Sequence, residues 1–195
     1  MNKEEEMQRI ISRIKDCRKC DLWKSRLNPV PGEGSLDAEI LFIGEAPGYN
    51  EDKQGRPFVG RAGKILDELL ESIGIDRSKV YIANILKCRP PDNRDPDVDE
   101  INACIEYLDR QIEIIQPKII SPLGRFACEY IFKKYGLKYD KISKMHGKIF
   151  KVNTLFGSIS IIPLYHPAVA TYNPMIKNQL LEDFKTIKTS ELNIC

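Results

Sequence analysis

Four of the six cysteines have positions that suit a metal centre. Cys17 and Cys20 form a C-x2-C pair, Cys88 lies in the segment KCRPP, and Cys104 falls on a predicted helix. Two thiolates at this close spacing can hold one metal centre, and two distant cysteines would complete a set of four. Structural zinc and an iron–sulfur cluster both remain open on these residues. The single C-x2-C pair differs from the paired spacing of many zinc ribbons, which favours iron–sulfur.

The other cysteine positions predict different roles. The helical phase of Cys104 also places it on an apolar face, so core packing is an alternative for that residue. Cys128 lies within a predicted helix and is expected in the core. Cys195 is the last residue, and no partner is suggested by its spacing, so we expect a free thiol.

A glycine-rich loop follows an apolar segment and is a candidate ligand site. GEAPGYNEDKQGRPFVG runs from Gly44 to Gly60 after the apolar stretch AEILFI. Glycines let backbone approach a ligand closely. The segment Gly55–Gly60 lacks the lysine and the hydroxyl of a phosphate-binding P-loop, which disfavours a nucleotide-phosphate site. Phe58 is either an anchor that pins the loop to the core or a stacking platform for a flat ring.

Two polar side chains stand at the ends of other predicted strands. Asn84 ends the segment KVYIAN, and its amide can both accept from and donate to a planar imide edge. Capping of the following turn is the alternative for Asn84. His166 follows an apolar strand and precedes Pro167, a position suited to polarising a leaving group. The second histidine, His146, lies in the polar segment KMHGK, where we expect an exposed surface position.

Composition indicates an ordinary globular chain. The 195 residues are 42% hydrophobic and 30% charged, with a net charge of +2 that neither demands nor excludes nucleic acid. No apolar run approaches the length of a membrane-spanning helix. The charged, amphipathic start MNKEEEMQRI is unlike a secretory signal, so we expect a cytoplasmic protein in which disulfides are disfavoured.

Hydrophobic periodicity predicts strands alternating with helices along the chain. Such alternation indicates an α/β fold with a parallel sheet covered on both faces, whose ligands gather at the carboxyl ends of the strands. We expect one domain over residues 1–195. The predicted strands are 38–44, 79–84, 117–122 and 159–166, and the predicted helices are 4–16, 65–73, one opening at Asp95-Pro96, 123–135 and 174–188.

Four motifs, in this order, resemble those of the uracil-DNA glycosylase superfamily: GEAPG, NEDKQGRPFVG, NILKCRPP and HPA. The match runs from Cys17 to about Ala170, and the four-cysteine arrangement is similar to that of the iron–sulfur members called family 4. The resemblance implies a three-layer α/β/α fold around a four-stranded parallel sheet. It also implies that Cys17, Cys20, Cys88 and Cys104 hold a 4Fe–4S cluster.

The resemblance further implies hydrolysis of the N-glycosidic bond of a flipped deoxyuridine, leaving an abasic site for base-excision repair. Phe58 would stack on the base, Asn84 would read its edge, and His166 would hydrogen-bond the departing oxygen. Backbone at Gly44 and Ala46 would help to hold the base.

Ala46 stands where family 1 enzymes carry an aspartate, and alanine cannot activate water. Glu45 and Glu51 are the available carboxylates for that task, Glu51 being also a candidate for the wall that rejects the thymine methyl. Solvated loop acids are the alternative for both. Val169 and Tyr172 are candidate wedges into the DNA stack. The basic residues placed to track phosphates are Lys53, Arg56, Arg61, Arg89, Arg94, Lys144 and Lys148.

Uracil-containing DNA is therefore the expected partner, with no membrane. A sliding clamp is a candidate partner, and a monomer is expected. Two rival functions remain: a glycosylase that also accepts hypoxanthine or other deaminated bases, and a non-catalytic nucleic-acid-binding protein that uses the cysteine site as a staple.

Overall fold

Six strands form one sheet at the centre of the protein. The structure, a computed structural model, describes residues 2–155 and 157–192. In chain order the strands are β1 (Glu33–Gly34), β2 (Ile40–Gly44), β3 (Tyr81–Asn84), β4 (Ile119–Pro122), β5 (Phe150–Thr154) and β6 (Gly157–Ile161).

The spatial order of the strands is β1-β3-β2-β4-β6-β5. The four inner strands β3, β2, β4 and β6 are parallel, and the edge strands β1 and β5 are antiparallel to their neighbours. The predicted α/β fold with its parallel sheet is confirmed, and the predicted four strands are the inner ones. Neither edge strand was predicted, because β1 is very short and β5 alternates between half-buried and exposed residues.

Eight α-helices are found in the described residues, together with three short 3-10 helices. The α-helices are α1 (Lys3–Lys15), α2 (Tyr49–Gln54), α3 (Arg61–Ser72), α4 (Val98–Ile115), α5 (Arg125–Lys134), α6 (Ile142–Met145), α7 (Pro167–Ala170) and α8 (Pro174–Leu192). The 3-10 helices are Asp21–Lys24, Arg77–Lys79 and Pro91–Asn93. None of the helices in this part of the chain is long and apolar enough to cross a membrane.

The two faces of the sheet bury separate cores, because successive side chains of a strand point to opposite faces. Leu41 and Ile43 of β2 pack into one core with residues of α1, α4 and α5. Ile40 and Phe42 pack into the other core with residues of α3 and α8. The result is the predicted three-layer arrangement, with a continuous apolar run in the central strand buried on both sides.

Some boundaries differ from the predictions, among them the start of α4 and the end of β6. Helix α4 begins at Val98 with Asp97 as its N-cap, so the predicted start at Asp95-Pro96 was wrong by two residues. Strand β6 ends at Ile161, earlier than predicted, and Pro163 soon follows with no N–H to continue a ladder. Cys128 is fully buried as predicted, whereas Cys195 lies outside the described residues.

Substitution of Phe184 tests the packing of the last helix, α8, against the sheet. Its ring is fully buried and stacks on Phe42 at 5.6 Å between centroids. Phe184→Ala should lower the free energy of unfolding by about 3–5 kcal/mol, because the lost contacts leave a cavity. Chemical denaturation measures this loss. Met175→Ala on the same helix, where the side chain is 73% exposed, should change it by less than about 0.5 kcal/mol. Equal effects of the two variants would contradict this packing.

Candidate active site and cysteine cavity

A cavity of about 350 Å³ opens where the parallel strands end. It lies beyond the carboxyl ends of β2 and β3, beside the segment that follows β6, as expected for a parallel sheet. Of the residues predicted for substrate binding and catalysis, all but Gly44 line this cavity. Its lining includes Glu45, Ala46, Gly48, Glu51, Phe58, Asn84 and His166.

Gly44 allows Asn84 and Phe58 to pack closely at the bottom of this cavity. It ends β2 and lies opposite Asn84 in the register of β2 with β3. A Cβ on Gly44 would lie 2.3 Å from Asn84 Oδ1 and 2.7 Å from the ring of Phe58. Such distances do not occur between real side chains, so only glycine allows both groups to occupy this place.

Asn84 presents an unsatisfied acceptor to the cavity. Its side chain is 2% exposed, and within the described residues Oδ1 has no hydrogen-bond partner. A buried polar atom without a partner is costly and calls for an explanation. Oδ1 does not cap the following turn, which was the alternative role. The backbone oxygen of Asn84 is engaged separately by the buried Lys87, whose Nζ donates to it at 2.8 Å.

Phe58 has a backbone conformation that is rare for its residue type. Its φ is +50°, in the left-handed region, which costs a non-glycine residue about 1–2 kcal/mol. The ring is 5% exposed, packs in the core with α3 and also lines the cavity. It stacks on the ring of His166, with 5.6 Å between centroids and 30° between planes. Phe58 is therefore an anchor in the core whose ring also lines the cavity, and its role as a stacking platform stays a prediction.

His166 is held as a neutral imidazole. Burial lowers its pKa to about 4, and the nearby charge of Glu51 offsets this only in part. Nδ1 accepts a hydrogen bond from the backbone N–H of Ala168 at 3.1 Å. Because Nδ1 is the acceptor, the proton of the neutral ring is on Nε2. His166 can therefore donate one hydrogen bond to a ligand without first gaining a charge.

The two glutamates of the loop have different environments. Burial raises the pKa of Glu45, with Asp95 adding to the rise and Arg125 opposing it. Glu51 is bound by backbone N–H groups: Oε1 accepts from Val59 and Gly60, both at 2.9 Å, and Oε2 accepts from Gly48 at 3.2 Å. The carboxylate of Glu51 is therefore used to hold the loop together. Within the described residues, the carboxylate of Glu45 is not bound by the loop backbone in this way.

The four cysteines of the predicted metal set surround a second, small cavity. Cys17 and Cys20 come from the segment after α1, Cys88 follows β3, and Cys104 lies on α4. Among the described residues no group of three or more His, Cys, Asp or Glu side chains is arranged to hold a metal ion. The thiols thus face a common space without forming a ready-made site for a single ion.

Donors point at two of these sulfur atoms. Arg26 Nη1 donates to Cys88 Sγ at 3.1 Å, and the backbone N–H of Lys87 donates to Cys104 Sγ at 3.2 Å. Hydrogen bonds of this type stabilise thiolates over thiols. Burial acts in the opposite direction and raises the pKa of both Cys88 and Cys104, so the two donors offset only part of the cost of a buried thiolate.

Most of the predicted phosphate-tracking residues already have partners. Arg94 forms a bidentate pair with Glu100, and Arg56 forms one with Glu33.

His146 was predicted to be exposed, and this was wrong: it is half-buried, and its Nδ1 lies 2.8 Å from Asp183 Oδ2. The contact between segment KMHGK and α8 buries it, and nothing local in the sequence signals that contact.

Other residues at the site were missed or given a different role. Pro90, Asn93 and Arg94 form one wall of the active-site cavity, and Asn93 has a φ of +54°. Arg77, which lies next to β3, binds the backbone of the loop that carries Phe58. The dipeptide Pro90-Pro91 signals an irregular loop, but nothing near Arg77 in the sequence connects it with the site.

The comparison with known proteins agrees with this geometry. The family model of the uracil DNA glycosylase superfamily matches residues 31–185. The chain therefore belongs to the uracil-DNA glycosylase superfamily. Three relatives are each named "Type-4 uracil-DNA glycosylase", in agreement with the resemblance to family 4 found in the motifs.

Each alignment with these relatives covers most of this chain and most of the relative. The protein of Sulfurisphaera tokodaii is 52% identical over 93% of this chain and 83% of its own length. That of Saccharolobus solfataricus is 53% identical over 92% and 83%, respectively. That of Archaeoglobus fulgidus is 49% identical over 94% and 92%.

The protonation of His166 can be measured without any substrate. Nitrogen-15 NMR of histidine-labelled protein should show one ring that titrates near pH 4, with Nδ1 unprotonated and Nε2 protonated above that value, because burial disfavours the imidazolium. The chain has two histidines, so His166→Gln identifies the signal. A titration midpoint near 6.5, or a proton on Nδ1, would contradict the geometry.

Proposed function

We propose that this protein removes uracil from DNA by hydrolysing the N-glycosidic bond of a flipped deoxyuridine. The observation that carries the proposal is the buried, unpartnered Oδ1 of Asn84, flanked by the flat ring of Phe58 and by His166. Family membership and the names of the relatives support the same activity.

The edge of uracil suits this acceptor. Uracil presents an N3–H donor beside its O4 acceptor, so Asn84 accepts from N3–H with Oδ1 and donates to O4 with Nδ2. Cytosine presents an acceptor and a donor in the opposite order. Bound cytosine would leave buried polar groups without partners, which is a strong basis for rejection.

His166 stabilises the leaving group in the proposed reaction. Negative charge develops on uracil O2 as the glycosidic bond breaks, and the Nε2–H of neutral His166 donates to that oxygen. A single preorganised donor of this kind is worth about 3 kcal/mol, or roughly a hundredfold in rate. Backbone at Gly44 and Ala46 completes the base pocket.

Glu45 is the better candidate for orienting the attacking water. Both glutamates line the cavity, but both oxygens of Glu51 are engaged by backbone N–H groups. Because the pKa of Glu45 is raised, a falling pH protonates its carboxylate earlier than it protonates an ordinary glutamate. Glu51 then shapes the loop and takes no direct part in the chemistry.

DNA is the proposed partner, because a base inside a duplex reaches such a cavity only after flipping. Tyr172, which is 76% exposed after α7, and the half-buried Val169 are retained as candidate wedge residues. Basic residues around the opening would contact phosphates. The sliding clamp and the monomeric state stay predictions.

We also propose that Cys17, Cys20, Cys88 and Cys104 bind a 4Fe–4S cluster. Their four thiols line one cavity, and two of them already accept hydrogen bonds. The cluster would supply a covalent link between the segment after α1, the loop after β3 and helix α4. Four cysteine thiolates are the ligand set that such a cluster takes.

Removal of the Asn84 amide tests the reaction and the role of this residue together. After incubation with the wild type, a labelled duplex with one U·G mismatch should be cleaved by alkali at the abasic site. A T·G duplex treated in the same way should stay intact. Asn84→Ala should lower kcat/KM by about 10- to 100-fold, because the buried acceptor is lost. Asn153→Ala, at an exposed position of β5, is the matched control and should leave the rate unchanged.

Two outcomes would favour the rival functions. Release of hypoxanthine from a duplex with that single lesion, at a rate similar to uracil release, would indicate a broader glycosylase. Binding of DNA without release of any base by the wild type would indicate a binding protein and contradict the proposed reaction.

The cysteine ligands can be tested by elemental analysis. Cys17→Ser and Cys104→Ser should each lose most of the bound iron and its visible absorption, because one of four thiolate ligands is removed. Cys128→Ser is the matched control, since Cys128, like Cys104, is a buried thiol but donates to Pro122 O. Zinc in place of iron, or equal iron in all three variants, would contradict the cluster.

A further inference from the structure

Arg77 grips the backbone that carries Phe58. Its Nη1 donates to Phe58 O at 3.0 Å, and its Nη2 donates to Pro57 O at 2.7 Å. One planar guanidinium thus binds two successive carbonyls. A guanidinium presents its donors in a rigid fork, so these two bonds define an orientation as well as a distance.

The guanidinium is itself held in place. Nη1 also donates to Asp67 Oδ1 of α3 at 2.8 Å, and Nη2 lies 3.6 Å from Glu33 of β1. Nε of Arg77 is buried and has no partner in the described part of the chain. The side chain is therefore held by two carboxylates while its terminal nitrogens bind the loop.

The other side of Phe58 is held by Glu51. Its Oε1 accepts from the N–H groups of Val59 and Gly60, directly after Phe58. Helix α3 closes the third side, because a Cβ on Gly63 would lie 1.9 Å from Phe58 O. Residues 57–60 are therefore bound at two carbonyls, two amides and one close backbone contact.

This grip explains the unusual φ of Phe58. A phenylalanine in the left-handed region persists only where its surroundings hold it there. The same conformation turns the ring towards His166 and the active-site cavity. The two bonds from Arg77 are the side-chain hydrogen bonds that fix the carbonyls of Pro57 and Phe58, and so we expect their loss to change the orientation of the ring.

We propose that Arg77 is a positioning residue for uracil recognition, which keeps the Phe58 ring in the plane where it stacks on the flipped base. The role assigned to Arg77 rests on the proposed function, but its effect on Phe58 does not. Arg77 makes no contact with the cavity itself, so it would act only through Phe58.

The first test needs no substrate. Because the rings of Phe58 and His166 stack, the ring current of Phe58 shifts the NMR signals of His166. Phe58→Leu gives the position of those signals without the aromatic ring. Arg77→Met should move them towards that position, whereas Arg110→Met, an exposed arginine of α4 paired with Glu113, should not. Signals of His166 unchanged in Arg77→Met would overturn the proposal.

The second test is a double-mutant cycle on uracil release from the U·G duplex. Arg77→Met should lower kcat/KM by about 10- to 100-fold, as expected for a misplaced binding group. The same substitution in the Phe58→Leu background should have less than about a threefold effect, because the ring it positions is gone. Equal losses in both backgrounds would show a general structural effect and overturn the proposal.

Two further results separate the alternatives. Arg77→Lys keeps the charge beside Asp67 but lacks the fork, so it should shift the His166 signals as Arg77→Met does, and it serves if Arg77→Met fails to fold. If the wild type releases no uracil while Arg77→Met still shifts the His166 signals, the proposed function fails and the structural grip on Phe58 stands.

Discussion

The register between β2 and β3 is the constraint on which the site depends. Parallel pairing sets Gly44 opposite Asn84, so the last residue of one strand faces the last residue of its neighbour. Because Gly44 has no side chain, the Asn84 amide and the Phe58 ring both fit above the strand end. A shift of one residue would turn Asn84 to the other face of the sheet and bury its amide in the core.

Around this fixed point, the protein holds two groups in states that are unfavourable elsewhere. Phe58 has a left-handed backbone, and Asn84 has a buried oxygen without a partner in the described residues. Both face the same cavity as His166, whose burial lowers its pKa and so strengthens the neutral form. Backbone strain and unpaired buried polar atoms are concentrated at sites where a ligand supplies the missing partner. The rest of the α/β fold, with apolar runs buried on both faces of the sheet, provides the stability that offsets them.

The sequence predicted the inner part of the fold well, because its signals are local. Apolar runs such as AEILFIG identify the inner strands, and the loops at their ends identify the residues that share the cavity. It failed where long-range contacts decide. The burial of His146 depends on Asp183, and the grip on Phe58 depends on Arg77, each far away along the chain. The edge strand β1 is too short to leave a periodic pattern.

The attachment of α1 has a consequence for synthesis of the chain. Its buried residues Met7, Ile10 and Ile14 pack in one core with residues of α4, and Cys17 and Cys20 share a cavity with Cys104. On a ribosome that adds 5–20 residues per second, about 5 to 20 s pass between emergence of the first helix and emergence of its partner. During that interval the nascent segment exposes an apolar stripe and two thiols to the surrounding solution. Rapid elongation and a reducing environment would both protect it from misassociation and oxidation.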